Sequence, residues 1–251
     1  AGVSTRVATG YRWYSIVANR RVYEHRHHFA KHESEYNIGM LKGLGLAPGR
    51  NQEPRLVLTS AERSRAQERL AGTPSPRIVV HPGGFSTRRW RAGHYWNLVQ
   101  RIVEEEFGAI LIGSAAEAET FQKDKPAGQR PPDGVLDLMG KVGLRDLMAV
   151  IAASDLLVSG SSGPTHLAAG LGRPVVSIYD PRRSQLPIRW RPLGNGVVLT
   201  PDVPTCEKCV YQSCPYWDCL DRVTVDQVMF QVRRVLERPE PVKVLRVQGS
   251  C

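Results

Sequence analysis

Two short stretches carry the residue types that can hold an anion. Residues 159–166 are SGSSGPTH and residues 81–89 are HPGGFSTRR, and each follows an apolar run. Glycine lets backbone amides come close to a ligand. The first N–H groups of a helix have no internal partners and carry partial positive charge, so a glycine-rich turn entering a helix is an anion cradle. Pro164 suits a first helical turn, where its missing N–H costs nothing. Gly160 and Gly163 open that turn, and Ser161, Ser162 and Thr165 add hydroxyl donors. A phosphate or diphosphate is the guest this chemistry favours. The competing reading is a helix cap with His166 satisfied inside the core.

The other stretch offers amides at Gly83 and Gly84, hydroxyls at Ser86 and Thr87, and guanidinium groups at Arg88 and Arg89. Arginine grips phosphate oxygens through a rigid two-pronged fork. The plainer alternative is a solvated basic turn, and Trp90 is expected in the core. Glu117 stands four residues after Gly113. A carboxylate beyond a strand end accepts hydrogen bonds from ribose hydroxyls in dinucleotide sites; spacing alone favours an exposed helix residue.

Metal chemistry has two candidates. Cys206, Cys209, Cys214 and Cys219 follow the spacing C-x2-C-x4-C-x4-C. Such thiols ligate zinc or an iron–sulfur cluster, but reduced thiols packing a local loop are the preferred reading here. His25, His27, His28 and His32 crowd one segment, and His28 and His32 are four apart, a zinc-capable spacing on a helix. No metal is expected at either place.

These residues need elements to position them. RIVVHPGG is a strand and a tight turn. AGHYWNLVQRIVEEEFG places Tyr95, Leu98, Val99, Ile102 and Val103 at helical spacing. AILIGS, DLLVSG, PVVSIYD and GVVLTP are further strands, with VLDLMG a brief one. AEAETFQK, LRDLMAVIAAS and PTHLAAGLG are helices, and TVDQVMFQVRRVLER closes the series with Thr224 as N-cap. Alternating strands and helices imply a parallel sheet covered on both faces. Ligands bind beyond the carboxyl ends of such strands. The glycine turns at Gly83, Gly113 and Gly160 all fall on that rim.

The chain has 251 residues, enough for one large domain or two small ones. No apolar run reaches the roughly 18–20 residues needed to span a bilayer. Lys and Arg outnumber Asp and Glu by 34 to 24, and the formal charge of +10 favours anionic partners. None of the usual RNA- or DNA-binding motifs is present, so nucleic acid is not an expected partner.

The combination of HPGG…RRW, an IGS…E turn, the helix around 144–154 and SSGPTHLAAGLGRPVVSIYDP resembles the glycosyltransferase family that contains the bacterial lipopolysaccharide heptosyltransferases. The resemblance covers roughly residues 1–237. It implies an α/β fold of GT-B type, a Rossmann-like parallel sheet with helices on both faces. In that layout residues 1–50 are the remnant of an acceptor domain, 51–76 an interdomain linker, 77–237 the nucleotide-sugar donor domain and 238–251 a tail. The apolar face of the closing helix would then be exposed.

The implied reaction moves heptose, with inversion and without metal or other cofactor, from ADP-heptose to a lipid-linked, lipopolysaccharide-type saccharide. The implied setting is the cytoplasm, with peripheral association at the anionic inner face of the inner membrane. The implied donor-site residues are Gly83, Ser86, Thr87, Arg88, Glu117 for the ribose, Val142 for the adenine, Ser161, Ser162, Gly163 and His166. Two positions depart from the family pattern: Ser161 stands where an aspartate is usual, and Arg88 where a lysine is usual. The family's first glycine-rich loop and its carboxylate base have no counterpart. The chain is therefore expected to bind nucleotide weakly and to transfer no sugar alone. The alternatives are a nucleotide-binding module without catalysis and a metal-binding protein acting through the four cysteines.

Overall fold

The computed structural model describes residues 2–49, 53–84, 89–124 and 132–248. The chain forms two compact units, Ala1–Gln52 with Ile188–Arg191, and Glu53–Pro187 with Pro192–Cys251.

The smaller unit holds a parallel pair, β1 (Val7–Thr9) and β2 (Arg20–Val22), and a helix, α1 (Glu33–Gly39). α1 is short. Gly39 and Gly43 are poor helix formers, and the chain tightens into a 3-10 turn, Met40–Leu44, that ends at Gly45 in the left-handed region. His32 caps α1: Nδ1 accepts the Ser34 N–H at 3.2 Å, and Nε2 donates to the Arg191 carbonyl at 2.8 Å. Both ring nitrogens are thus committed to structure, and the supposed His28/His32 zinc pair does not form. Glu24 is buried between Lys31 and Lys42, whose ammonium groups hold its carboxyl below the usual range.

The larger unit is built on seven strands: β3 (Arg77–His81), β4 (Gly108–Leu111), β5 (Leu136–Asp137), β6 (Leu156–Gly160), β7 (Val175–Ile178), β8 (Gly196–Pro201) and β9 (Lys243–Val247). Every pairing is parallel, and the order is β5-β4-β3-β6-β7-β8-β9. The runs are continuously apolar because helices cover both faces. Alternation along β3 sorts the layers. Ile78 and Val80 face α3 (Ala92–Glu104) and α8 (Val225–Glu237), packing with Leu98, Ile102 and Val232. Val79 faces the opposite layer with Val150 and Ile151 of α5 (Leu144–Ala152) and Ala168 of α6 (Gly163–Gly170). α4 (Ala115–Lys123) follows β4 and adds Phe121 to the first layer, stacked on Trp96 at 4.7 Å.

Three expectations are corrected. Much of the presumed linker 51–76 is part of the larger unit. It contains α2 (Ser60–Arg69), whose Ala66 packs with Leu58, Met148, Ala149 and Ala152. Arg145 of α5 meets Glu62 at 2.6 Å, and this bond, with the Thr59 cap, holds the Glu62 carboxyl at about 2. Leu56 donates its N–H to the Gly170 carbonyl. The presumed tail supplies β9, because KVLRV has the β-branched spacing of an edge strand and β8 offers a free edge. The apolar face of α8 is covered: Val228, Met229 and Val232 are fully buried.

Candidate functional site

The order of the sheet marks one position. β4 and β5 lie on one side of β3, while β6 and every later strand lie on the other. Crossovers diverge between β3 and β6, leaving a crevice beyond their carboxyl ends. Register then sets the chemistry: His81, the last residue of β3, pairs with Ser159 of β6.

His81 is the hub of a buried polar network. Its Nδ1 lies 3.1 Å from both the Ser159 and the Ser162 hydroxyls, which are 2.7 Å from each other. Its Nε2 lies 3.4 Å from Glu117 Oε1. An ionised Glu117 accepts from Nε2–H, which leaves Nδ1 to accept from a serine hydroxyl. The order carboxylate, imidazole, hydroxyl thus fixes how Ser162 is presented at the start of α6.

Glu117 is held on every side. Oε2 accepts the Ser114 N–H at 2.7 Å and its hydroxyl at 2.9 Å, completing a capping box at the start of α4. Oε1 accepts the Gly84 N–H at 2.7 Å. The His81 contact, with the Ser114 donors, keeps the carboxyl well below the usual carboxylate range although burial opposes it. An anion so well satisfied is rigid and permanently charged at neutral pH, a fixed acceptor for hydroxyl groups.

These turns open on a cavity of about 640 Å³. Its wall includes Gly84, Glu117, Val142, Ser161, Ser162 and Gly163. Gly84, at φ +130°, brings the first turn against the second, and a side chain there would touch Ser162. Gly163 has open space on its Cα, so the start of α6 is unobstructed. Behind Ser161, the buried Tyr179 hydroxyl bonds its side chain, and the buried Tyr95 hydroxyl bonds the Gly160 backbone; burial pushes both phenols up. On its far side, Glu117 borders a second cavity, of about 760 Å³, that Arg89 and His94 also line.

A family model described as glycosyltransferase family 9 (heptosyltransferase) matches residues 2–218. The chain belongs to glycosyltransferase family 9. A putative glycosyltransferase of Haemophilus influenzae is 26% identical over 205 residues, which cover 78% of this chain and 59% of that protein. Lipopolysaccharide heptosyltransferase 2 of Escherichia coli K12 is 27% identical over 150 residues, 58% of this chain and 43% of that one. A solved family 9 glycosyltransferase from Veillonella parvula superposes with a TM-score of 0.74 at 18% identity, covering 93% of this chain and 68% of its own. The chain thus spans roughly half the length of the curated relatives it matches.

Of the donor-site residues that the family resemblance implied, Glu117, Val142, Ser161, Ser162 and Gly163 share one cavity wall. Gly83 is buried one step behind it, with its Cα against the Glu117 carboxylate. His166 is half-buried on α6 and does not line the cavity. Ser86, Thr87 and Arg88 lie outside the described residues. Sequence reasoning missed His81, Ser114, Ser159 and the role of Gly84. The one local hint was a histidine closing an otherwise apolar run; its pairing with Ser159 is set by the register of β3 with β6, distant in sequence.

Two groups elsewhere have metal-ligating chemistry. The ring nitrogens of His25, His27 and His28 lie within 4.8 Å of one another on an exposed turn of the smaller unit. The four cysteines are in the larger unit and are not joined by disulfides. Among the described residues, no helix is long and apolar enough to cross a membrane.

Proposed function

We propose that this chain supplies the donor-binding half of an inverting heptosyltransferase, holding ADP-heptose for transfer to a lipopolysaccharide-type saccharide. The carrying observation is the single cavity at the β3–β6 switch point, walled by Glu117, Val142, Ser162 and the open start of α6. The diphosphate sits on the amides and hydroxyls of residues 161–163, the ribose hydroxyls on Glu117, and the adenine beside Val142. Relatives named as heptosyltransferases support heptose as the sugar.

In the reaction an acceptor hydroxyl attacks the anomeric carbon while the diphosphate departs from the opposite face. Negative charge grows on the leaving phosphate. The first turn of α6 offers a fixed positive partner to that charge, and we assign the Arg88 guanidinium to the same phosphate. The proton of the attacking hydroxyl passes to a carboxylate base, which we assign to the acceptor half of the longer enzyme. A lipid-linked acceptor and a formal charge of +10 together favour work at an anionic membrane surface.

Calorimetry tests the donor half directly. The chain is expected to bind ADP in preference to UDP and GDP, with no sugar transfer by the 251 residues alone. Failure to bind any nucleoside diphosphate overturns the reading. Transfer of heptose by the isolated chain overturns the division of labour between two halves.

A further inference from the structure

The wall of the β3–β6 cavity follows the order of the sheet. Val142 comes after β5, Glu117 after β4, Gly84 after β3, and Ser161 to Gly163 after β6. One residue carries the wall a strand further: Gln185, in the 3-10 turn Arg183–Gln185 that follows β7. Register brings that turn beside the start of α6, because Ile178, which ends β7, pairs with Gly160, which ends β6.

The other polar side chains of the wall are committed. His81, Ser114, Glu117 and Ser162 bond one another or the turn amides, and Ser161 is bonded by the buried Tyr179 hydroxyl. Gln185 differs. It is half-buried, and its side-chain amide has no hydrogen-bond partner among the described residues. Polar groups removed from water are normally paired, so the partner of this amide is what the cavity holds. The turn that carries it is tied down. Gln185 donates its backbone N–H to the Arg182 carbonyl at 2.8 Å, and the Arg183 N–H bonds the Cys206 carbonyl at 2.8 Å. The Arg182 guanidinium is fixed to the buried Asp180 carboxylate at 2.5 Å, and Pro187 is buried. A polar group on so firmly held a turn is preorganised for its ligand.

We propose that Gln185 binds the sugar of the nucleotide-sugar donor through its hydroxyl groups. This rests on the donor reading. With adenine beside Val142, ribose on Glu117 and the diphosphate on residues 161–163, the ligand crosses the rim from β5 towards β6. The next turn in line, after β7, receives whatever lies beyond the diphosphate. That group is the sugar, uncharged and rich in hydroxyls. A carboxamide suits it: the carbonyl oxygen accepts from one hydroxyl while the NH2 donates to its neighbour. A phosphate asks instead for amides at a helix start, which α6 already supplies. Gln185 is thus a sugar-binding residue and moves no proton in the transfer.

Calorimetry on the full 251-residue chain tests this with two probes, ADP and ADP-heptose. Gln185→Met keeps the length of the side chain and removes its hydrogen bonds, whereas Gln185→Ala removes both. Each variant is expected to bind ADP within about twofold of the unaltered chain and ADP-heptose about three- to tenfold more weakly, as the loss of neutral hydrogen bonds requires. Full ADP-heptose affinity in Gln185→Met would reduce the contact to packing and overturn the proposal. A variant that melts like the unaltered chain yet loses ADP and ADP-heptose alike would place Gln185 at the diphosphate, and a variant that loses neither would remove it from the site; both results overturn the proposal. Gln185→Met decides alone should Gln185→Ala fail to fold. An unaltered chain that binds no ADP defeats the donor reading itself, a result distinct from all of these.

Discussion

Glu117, on α4, accepts the backbone N–H of Gly84, in the turn after β3, at 2.7 Å. That bond joins two of the three glycine turns on the rim. It depends on Gly83, because a Cβ there would stand 2.2 Å from the Glu117 carboxylate oxygen. Gly163 has nothing within 4 Å of an added Cβ. The two glycines should therefore respond differently. Gly83→Ala must expel the carboxylate from its bonds, and we expect ADP affinity to fall by about tenfold or more, equal to about 1.4 kcal/mol. Gly163→Ala should change it far less. Calorimetry on both variants checks this, and equal losses would show that the Glu117 bond does not shape the site.

His81 should matter to folding as well as to binding. Its ring is almost fully buried and partners Ser159, Ser162 and Glu117. His81→Ala strands these groups without their common partner, a cost of about 1–3 kcal/mol. Urea denaturation should show the loss. Ser162→Ala should be milder in stability, since the half-buried Ser162 side chain is closer to solvent, yet still weaken ADP binding.

The acid limb of stability offers a separate check on Glu117. Its carboxyl is depressed in the folded chain, chiefly by the His81 contact, while an unfolded glutamate titrates near about 4.3. Below that value the unfolded chain binds a proton that the folded chain still refuses, so stability falls as pH falls. The contribution is fully present above the unfolded value and disappears as pH drops through the folded one. Glu117→Gln should be less stable at neutral pH and should lose less on acidification than the unaltered chain. Parallel acid limbs in the two proteins would contradict this.

Much of the larger unit was legible because its signals are local. RIVV, AILI and DLLV are too apolar for anything but buried strands, and Leu98, Val99 and Ile102 mark one helix face. The anion cradle was legible for the same reason, since Gly160, Pro164 and the serines announce a strand-to-helix turn. What escaped depends on contacts distant in sequence. Glu62 looks like any surface glutamate until Arg145, far along the chain, reaches it. KVLRV looks like a frayed end until β8 offers an edge. His81 is one polar residue after three apolar ones, and only the register with Ser159 gives it a role. The sequence reading also gave Glu117 one function, a ribose acceptor, where the folded chain gives its carboxylate three structural partners besides, Ser114, Gly84 and His81.

Arg88 is the remaining test of the donor reading. It stands where the family resemblance implies a phosphate-binding lysine, and a guanidinium fork serves a diphosphate at least as well as an ammonium. A hydrogen bond to a charged group is worth about 1.5–3 kcal/mol, so Arg88→Ala should weaken ADP binding by roughly ten- to a hundredfold. Arg88→Lys should retain most of the affinity, since it keeps the positive charge that a phosphate needs. Because the contact is one charge on another, rising salt should erode the difference between Arg88 and Ala. Calorimetry at two ionic strengths measures all of this. Unchanged affinity in Arg88→Ala at low salt would remove Arg88 from the site and leave the α6 amides and serine hydroxyls to hold the diphosphate unaided.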